Sequence, residues 1–196
     1  CSGVPIWTAY EVFSLWSFSN GYFIFFNWDT HPIYLALTFF IIPIFREVHF
    51  YFMHRLLHWP PLYNFCHYVH HKNINPGPWS GMSMHWFEHI IYLSGVLIHF
   101  IVPSHPVHAI FQLFHAGITP AFHGHIGIEK IQIGKISVNT FTQPHYLHHK
   151  YFECNYADGS VPLDKYFGTL HDGSEEAQER MMKRYKERMK KMRAVE

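Results

Sequence analysis

Five histidines fall between His54 and His71, and their spacing gives them chemical meaning. His54 and His58 stand at i, i+4, which on a helix puts both imidazoles on one face about 5–6 Å apart at Cβ. His67, His70 and His71 stand at i, i+3 and i+4, the spacing of one helical stripe. Pro60 and Pro61 separate the two sets, which predicts two helical pieces joined by a turn. His145, His148 and His149 repeat the second spacing further along the chain. Neutral imidazole offers a nitrogen lone pair and is the commonest metal ligand. Eight rings are too many for one tetrahedral zinc, which takes four ligands. They suit two metals of higher coordination, each keeping an open position. Imidazole accepts iron, copper, zinc and nickel alike, so ligand type leaves the metal undecided. The scattered His31, His49, His99, His105, His108, His115 and His171 read as ordinary core or surface residues.

The elements that must carry these boxes are apolar and helical. Residues 4–27 are dense in Trp, Tyr and Phe with one charge, Glu11, and Asn20-Gly21 interrupts them. That composition predicts a membrane or interfacial segment, as a hairpin rather than one crossing; an aromatic-rich soluble core segment is the alternative. Pro32 to Phe45 carries no charge, and the pattern resumes after Arg46-Glu47. One long helix running to His58 would deliver the first box at its inner end, with Pro43 kinking it. Lys72 to Gly81 is loop chemistry. Two apolar stretches, 90–102 and 107–122, flank Pro103-Ser104-His105-Pro106 and predict a helical hairpin dipped into or across a membrane. Lys130 to Phe141 is short and mixed, and reads as irregular. Ser174-Glu175-Glu176 predicts a helix N-cap. The helix it opens carries Met181, Tyr185, Met189 and Met192 on one stripe and eight Lys or Arg between 180 and 193. Such a charge run favours the cytoplasmic side or an anionic membrane surface, or is simply a solvated terminal helix.

Composition agrees with a lipid setting. The chain has 196 residues, 19% aromatic, 15% charged and 19 histidines, against about 25% charged in typical soluble domains. Mean hydropathy near zero is pulled there by histidine and the charged C-terminus. A net charge of +1 predicts no nucleic-acid partner. Cys1, Cys66 and Cys154 form no Cys-x-x-Cys pair and no even framework, which fits a reducing compartment. The start at Cys1 rather than Met reads as a chain whose N-terminus lies further upstream.

The three boxes in order, His54-x-x-x-His58, His67-x-x-His70-His71 and His145-x-x-His148-His149, resemble the fatty acid hydroxylase and sterol desaturase superfamily of membrane oxygenases. Tyr51 ahead of His54-Arg55, Leu62-Tyr63 before the second box and His85-x-x-Glu88 after it agree. So do Gly124-His125-Ile126-Gly127-Ile128-Glu129, Asn155-Tyr156 and Asp164-Lys165-Tyr166-Phe167-Gly168-Thr169. The likeness runs from about residue 40 to 172. Leu163 departs from it, standing where the family commonly has tryptophan, and the first helices look shortened or missing.

The resemblance implies an all-α, integral-membrane helical bundle with a cytosol-facing polyhistidine dimetal cap. Residues 1–31 would be an aromatic membrane or interfacial segment, 32–172 the hydroxylase-like domain and 173–196 a basic amphipathic helix. The membrane would be that of the endoplasmic reticulum, another organelle or a bacterial inner membrane, with the boxes and C-terminus cytosolic. The implied cofactor is two iron ions, with zinc able to replace them in purified samples. Their implied ligands are His54, His58, His67, His70, His71, His145, His148 and His149, with His125 as a ninth. His85 is a tenth candidate, or a residue behind the ligands or at a helix end. Glu88, Glu129, Asp158 and Asp164 are candidates to hold the outer nitrogens of ligating histidines. The implied reaction is O2-dependent hydroxylation or desaturation of a sterol, fatty acyl chain or related lipid. No haem domain, flavin fingerprint or iron–sulfur cysteine set is present, so a separate carrier, a b-type cytochrome or ferredoxin, would supply electrons. Two other classes compete: a non-catalytic membrane subunit that keeps the fold, and a haem or metal carrier clamping its cofactor between helices.

Overall fold

The computed structural model describes residues 2–122 and 124–193, leaving Cys1, His123 and residues 194–196 outside, together with the side chains of Ala121, Phe122, Met192 and Arg193. The predicted place of Met192 on the C-terminal stripe therefore lies outside the described residues. The chain is mostly helical, with one two-stranded sheet among the described residues.

Helix α1 (Gly3–Ser19) stops at Asn20-Gly21, where Gly21 adopts φ 73° and turns the chain. The next residues run extended and bridge Phe25 to Ser104, so 4–27 is one helix with an extended return. Helix α2 (Pro32–Leu57) starts with Pro at its first position, where the missing N–H costs nothing. Its 26 residues make it about 39 Å long. It is long and apolar enough to cross a membrane. The chain re-enters helix at Pro60: α3 (Pro60–Leu62), a π-turn (Tyr63–His67) and α4 (Tyr68–His71) form one run. The expected turn thus lies at His58-Trp59, ahead of both prolines. Helix α5 (Trp86–Leu93) tightens into a 3₁₀ segment (Ser94–Phe100), and α6 (Pro106–Phe122) returns beside it. The two expected apolar stretches therefore form a helical hairpin.

Helices α1 and α2 both pack on α5 and α6. The core between them includes Phe18, Phe23, Leu93, Val96, Ala109, Leu113 and Ala116. Gly117 allows the close approach of α1 to α6: a Cβ there would lie 1.9 Å from the Trp7 ring. Pro120 inside α6 cannot donate to the carbonyl four residues earlier. Tyr92 of α5 fills that vacancy, its hydroxyl donating to the Ala116 carbonyl at 2.8 Å. The outer surfaces of these helices stay apolar, with Ile33, Leu37, Phe40, Ile41 and Ile44 of α2 exposed alongside Val12 and Trp16 of α1.

Past α6 the chain forms a hairpin, β1 (Lys130–Ile133) and β2 (Ile136–Asn139), where the mixed sequence had suggested irregular structure. Gly134, at φ 59°, supplies the positive φ that a two-residue hairpin turn needs. Helices α7 (Thr142–Tyr151), α8 (Leu163–Tyr166) and α9 (Glu175–Arg193) complete the chain. Ser174 caps α9, its Oγ accepting from the Ala177 N–H at 3.2 Å. The 158–160 segment is fastened to α2 by the two charges that interrupt its apolar run. Buried Arg46 pairs with Asp158 and donates to the Tyr92 hydroxyl at 2.7 Å. Glu47 accepts from the Gly159 N–H and the Ser160 hydroxyl, both at 3.0 Å.

Candidate metal centre

All three boxes meet. Among the described residues the potential ligand atoms fall into two groups, each within 4.8 Å internally: His54, His58, His67, His71 and His148, and His70, His125, His145 and His149. All nine side chains are buried. The second and third boxes do not each present one stripe. His67 and His71, one turn apart, join the first group while His70 turns to the second. His145 and His149 join the second while His148 turns to the first. Adjacent helical residues point about 100° apart, so His70/His71 and His148/His149 each serve two centres. The first box gives both its histidines to the first group, and His125 supplies the second group's fourth.

The orientation of the rings follows from what holds their outer nitrogens. Nδ1 of His67 donates to Glu88 Oε1 at 2.7 Å. Nδ1 of His54, His148 and His125 donate to the carbonyls of Tyr156, Cys154 and Pro120 at 2.8, 2.6 and 2.6 Å. Carbonyls only accept, so the proton of each neutral ring sits on Nδ1 and its Nε2 presents a bare lone pair. Those Nε2 atoms converge. In the first group His58, His67, His71 and His148 approach one another at 3.0–3.2 Å. In the second, His145 lies 3.2 Å from His125 and 3.0 Å from His149.

Converging lone pairs repel unless a proton or a cation lies between them. Burial, followed by the neighbouring imidazoles, holds His58, His67, His70, His71, His145 and His148 well below the ordinary imidazole pKa, and His149 at about 3. Protons are therefore disfavoured, and metal cations fit the donor set. With bonds of about 2.1 Å, tetrahedral ligands would be about 3.4 Å apart and right-angle ligands about 3.0 Å. Edges of 3.0–3.2 Å lie nearer the second, which suits five- or six-coordinate ions. The same spacing leaves no room for a porphyrin between the rings.

Other expected site residues lie elsewhere. His85 belongs to neither group; it stands at the N-cap of α5 and its Nδ1 accepts from the Phe87 N–H at 3.3 Å. Of the four carboxylates, Glu88 holds a ligand directly. Asp158 is drawn to Arg46, because a buried guanidinium requires a counter-charge. Asp164 accepts from the N–H of Tyr156 and Ala157 and from the Thr169 hydroxyl, at 2.9, 2.8 and 2.6 Å. It thus fixes the loop whose Tyr156 carbonyl holds His54, one step removed from the ring. Glu129 accepts from the Gln143 N–H at 2.9 Å and steadies the start of α7. The holders that sequence reasoning missed are backbone carbonyls, which carry no residue-type signal. Asn155, in the left-handed region at φ 52°, lies between two of them, Cys154 and Tyr156, and anchors that turn: its Nδ2 donates to the Pro144 and His171 carbonyls, both at 2.9 Å.

Two kinds of cavity adjoin the centre. One, with about 20 Å³ of free space, lies between the groups, touching His54 and His67 of the first and His70, His125 and His145 of the second. Phe50, Met53, Leu57, Met84 and Tyr92 supply its apolar wall, and the Arg46 side chain reaches it. Two clefts of about 410 Å³ approach from elsewhere and meet the ligand set at His58. One is walled by Met181, Met182, Tyr185 and Met189 of α9, the other by Arg55, Arg184 and Arg188.

Comparison with known proteins returns one family, fatty acid hydroxylase, whose model matches residues 39–169. A Delta(7)-sterol 5(6)-desaturase of Gibberella zeae is 29% identical over 138 residues, 69% of this chain and 42% of that protein. A Delta(7)-sterol-C5(6)-desaturase of Nicotiana tabacum is 29% identical over 161 residues, 79% of this chain and 56% of its own length. Methylsterol monooxygenase 1 of Gallus gallus is 27% identical over 149 residues, 74% and 50%. The chain spans about half the length of the curated relatives it matches. No solved structure matches.

Proposed function

Because the chain belongs to the fatty acid hydroxylase family, we propose that it is a membrane-bound oxidoreductase that hydroxylates or desaturates a lipid, sterol-like or acyl, with dioxygen at a di-iron centre. One observation carries this reading: nine buried imidazoles converge in two adjacent groups, and five of them line the small cavity between the groups. His54, His58, His67, His71 and His148 would hold one iron, and His70, His125, His145 and His149 the other. Two irons bound there would activate dioxygen for the removal of hydrogen from an unactivated C–H bond.

The chain's own part is to orient, exclude and admit. Glu88 and the carbonyls of Tyr156, Cys154 and Pro120 keep the lone pairs aimed inward. The 20 Å³ cavity has room for one water-sized molecule and not for a carbon chain. Substrate therefore reaches the reacting position as Phe50, Met53, Leu57 and Met84 give way, and their apolar wall keeps bulk water out.

The exposed aliphatic and aromatic belt of α1, α2, α5 and α6 suits a bilayer, with α2 crossing it and the histidine end with α9 on the cytosolic side. The reaction draws electrons from a separate one-electron carrier. The clefts at His58, where the Tyr63 ring lies 5.7 Å from His58 and the Phe152 ring 4.8 Å from His71, would receive it beneath the basic helix α9. Metal content of the purified protein beside His70→Ala/His148→Ala tests the centre. Two irons per chain, lost in the double variant, followed by dioxygen-dependent lipid oxidation, with ¹⁸O from labelled dioxygen entering the lipid on hydroxylation or leaving as water on desaturation, is the expected result. Absence of bound metal in the parent would overturn the enzymatic reading and favour a non-catalytic subunit.

A further inference from the structure

The hairpin between the ninth histidine and the third box has one face too apolar to be left in water. In its register Ile131 pairs with Val138 and Ile133 with Ile136. Cross-strand partners and residues two apart share a face. All four branched aliphatics therefore point one way, while Lys130, Gln132, Ser137 and Asn139 point the other. Every residue of both strands is exposed, Ile133 and Ile136 by about two-thirds. A lone two-stranded hairpin is marginal in water, so its apolar face calls for a cover.

The surroundings say what that cover is. Asn75 and Pro76 share a cleft with Gly124, Gly127 and Glu129 at the hairpin's base. This brings the 72–81 loop beside it, with Ile74 64% and Trp79 96% exposed. Tryptophan on a surface of this kind is typical of the membrane–water boundary. Lys130 and Lys135 stand at the two ends of the hairpin, and no acid lies between 130 and 139, a balance suited to anionic headgroups. The four hairpin aliphatics with Ile74 and Trp79 make six exposed side chains, far short of the roughly 20–30 residues a side that a stable protein interface uses.

We propose that the 130–139 hairpin, with Ile74 and Trp79, seats its aliphatic face in the headgroup–acyl boundary of the bilayer that α2 crosses. The inference rests on the membrane reading above. Its consequence is local: the hairpin joins His125 to α7, so lipid contact steadies the four-histidine group, which takes three of its ligands from His125 and α7, more than the five-histidine one, which takes only His148 from there.

The test uses the full metal-loaded chain in vesicles of phosphatidylcholine with phosphatidylserine, on a Cys1→Ser background, with a bimane label at one introduced cysteine. Ile133→Cys and Ile136→Cys report the apolar face, Gln132→Cys and Ser137→Cys the polar face, and Phe40→Cys, on the exposed side of α2, the bilayer itself. Labels at 133 and 136 are expected to be quenched by brominated lipid and shielded from iodide several-fold relative to 132 and 137. Equal iodide access on both faces, with position 40 still quenched by lipid, overturns the hairpin inference alone. Loss of lipid quenching at position 40 as well overturns the membrane reading with it. Disulfide-linked dimers through position 136 would assign the face to a second copy and overturn the proposal.

Discussion

The two histidine groups are built from the same residue type at the same spacing, yet they are held differently. The five-histidine group has one ring tied to a carboxylate, His67 on Glu88, and two tied to carbonyls of the 154–156 segment. That segment is pinned in turn by Asp164 and by the buried Arg46–Asp158 pair nearby. The four-histidine group has only His125 so held, on the Pro120 carbonyl, while Nδ1 of His70, His145 and His149 is buried without a hydrogen-bond partner, as is that of His71 in the other group. An outer partner fixes ring orientation and raises donor strength. The comparison teaches that ligand count and ligand support run together here, so the five-histidine group should fill first and release last.

The largest effect expected from breaking this asymmetry is at the weaker group. His145→Ala leaves it three ligands and should reduce bound metal from two ions to one, with turnover falling more than about 100-fold, beyond the usual cost of losing an outer partner. His58→Ala leaves the other group four ligands and should retain more metal; equal loss in both variants would refute the ranking. Metal analysis after dialysis reads both. Next comes Gly124→Ala. At φ 82° any side chain is strained, and its Cβ would sit 2.5 Å from Cγ of His145. The variant should lose about 1–3 kcal/mol of stability and selectively lose the second metal.

Glu88→Gln sharpens the comparison from the other side. It keeps a hydrogen-bond acceptor for His67 but removes the charge, and should lower affinity at the five-histidine group about 10–100-fold without touching the other; chelator competition measures this. Acid should act on both groups. His149 takes up its proton near pH 3 when folded and near 6.5 when unfolded. The unfolded chain therefore binds more protons between these values, and stability falls as pH drops from about 6.5 towards 3. Melting temperatures of the metal-free protein should be level above neutrality and decline through this window. The smallest effect is Glu129→Gln, which weakens the acceptor for the Gln143 N–H and should cost about 0.5–1 kcal/mol, at the helix α7 start.

Much of this site was legible because helical spacing is local. The histidines of the three boxes and their i, i+4 pairs come from the order of residues alone. So do the long α2 that delivers His54 and the Ser174 cap of α9. The 130–139 hairpin was less legible, since alternation over four-residue strands is brief and its apolar face is exposed. The roles of Glu129, Asp158 and Asp164 were illegible for another reason. A carboxylate binds whatever donor the fold brings nearest, and here those donors were a helix-start amide, a buried guanidinium and a loop backbone.

Residue order alone set histidines at metal-ligand spacing in three boxes among apolar segments. Tertiary structure decided which histidine joins which group. His70 and His71, or His148 and His149, are neighbours in the chain, but the helix turns them about 100° apart. Only the packing of α2, α4 and α7 around the carbonyls of Pro120, Cys154 and Tyr156 assigns one of each pair to either side. Spacing along a helix fixes which side chains share a face, whereas the partner that face meets depends on contacts between residues far apart in the chain.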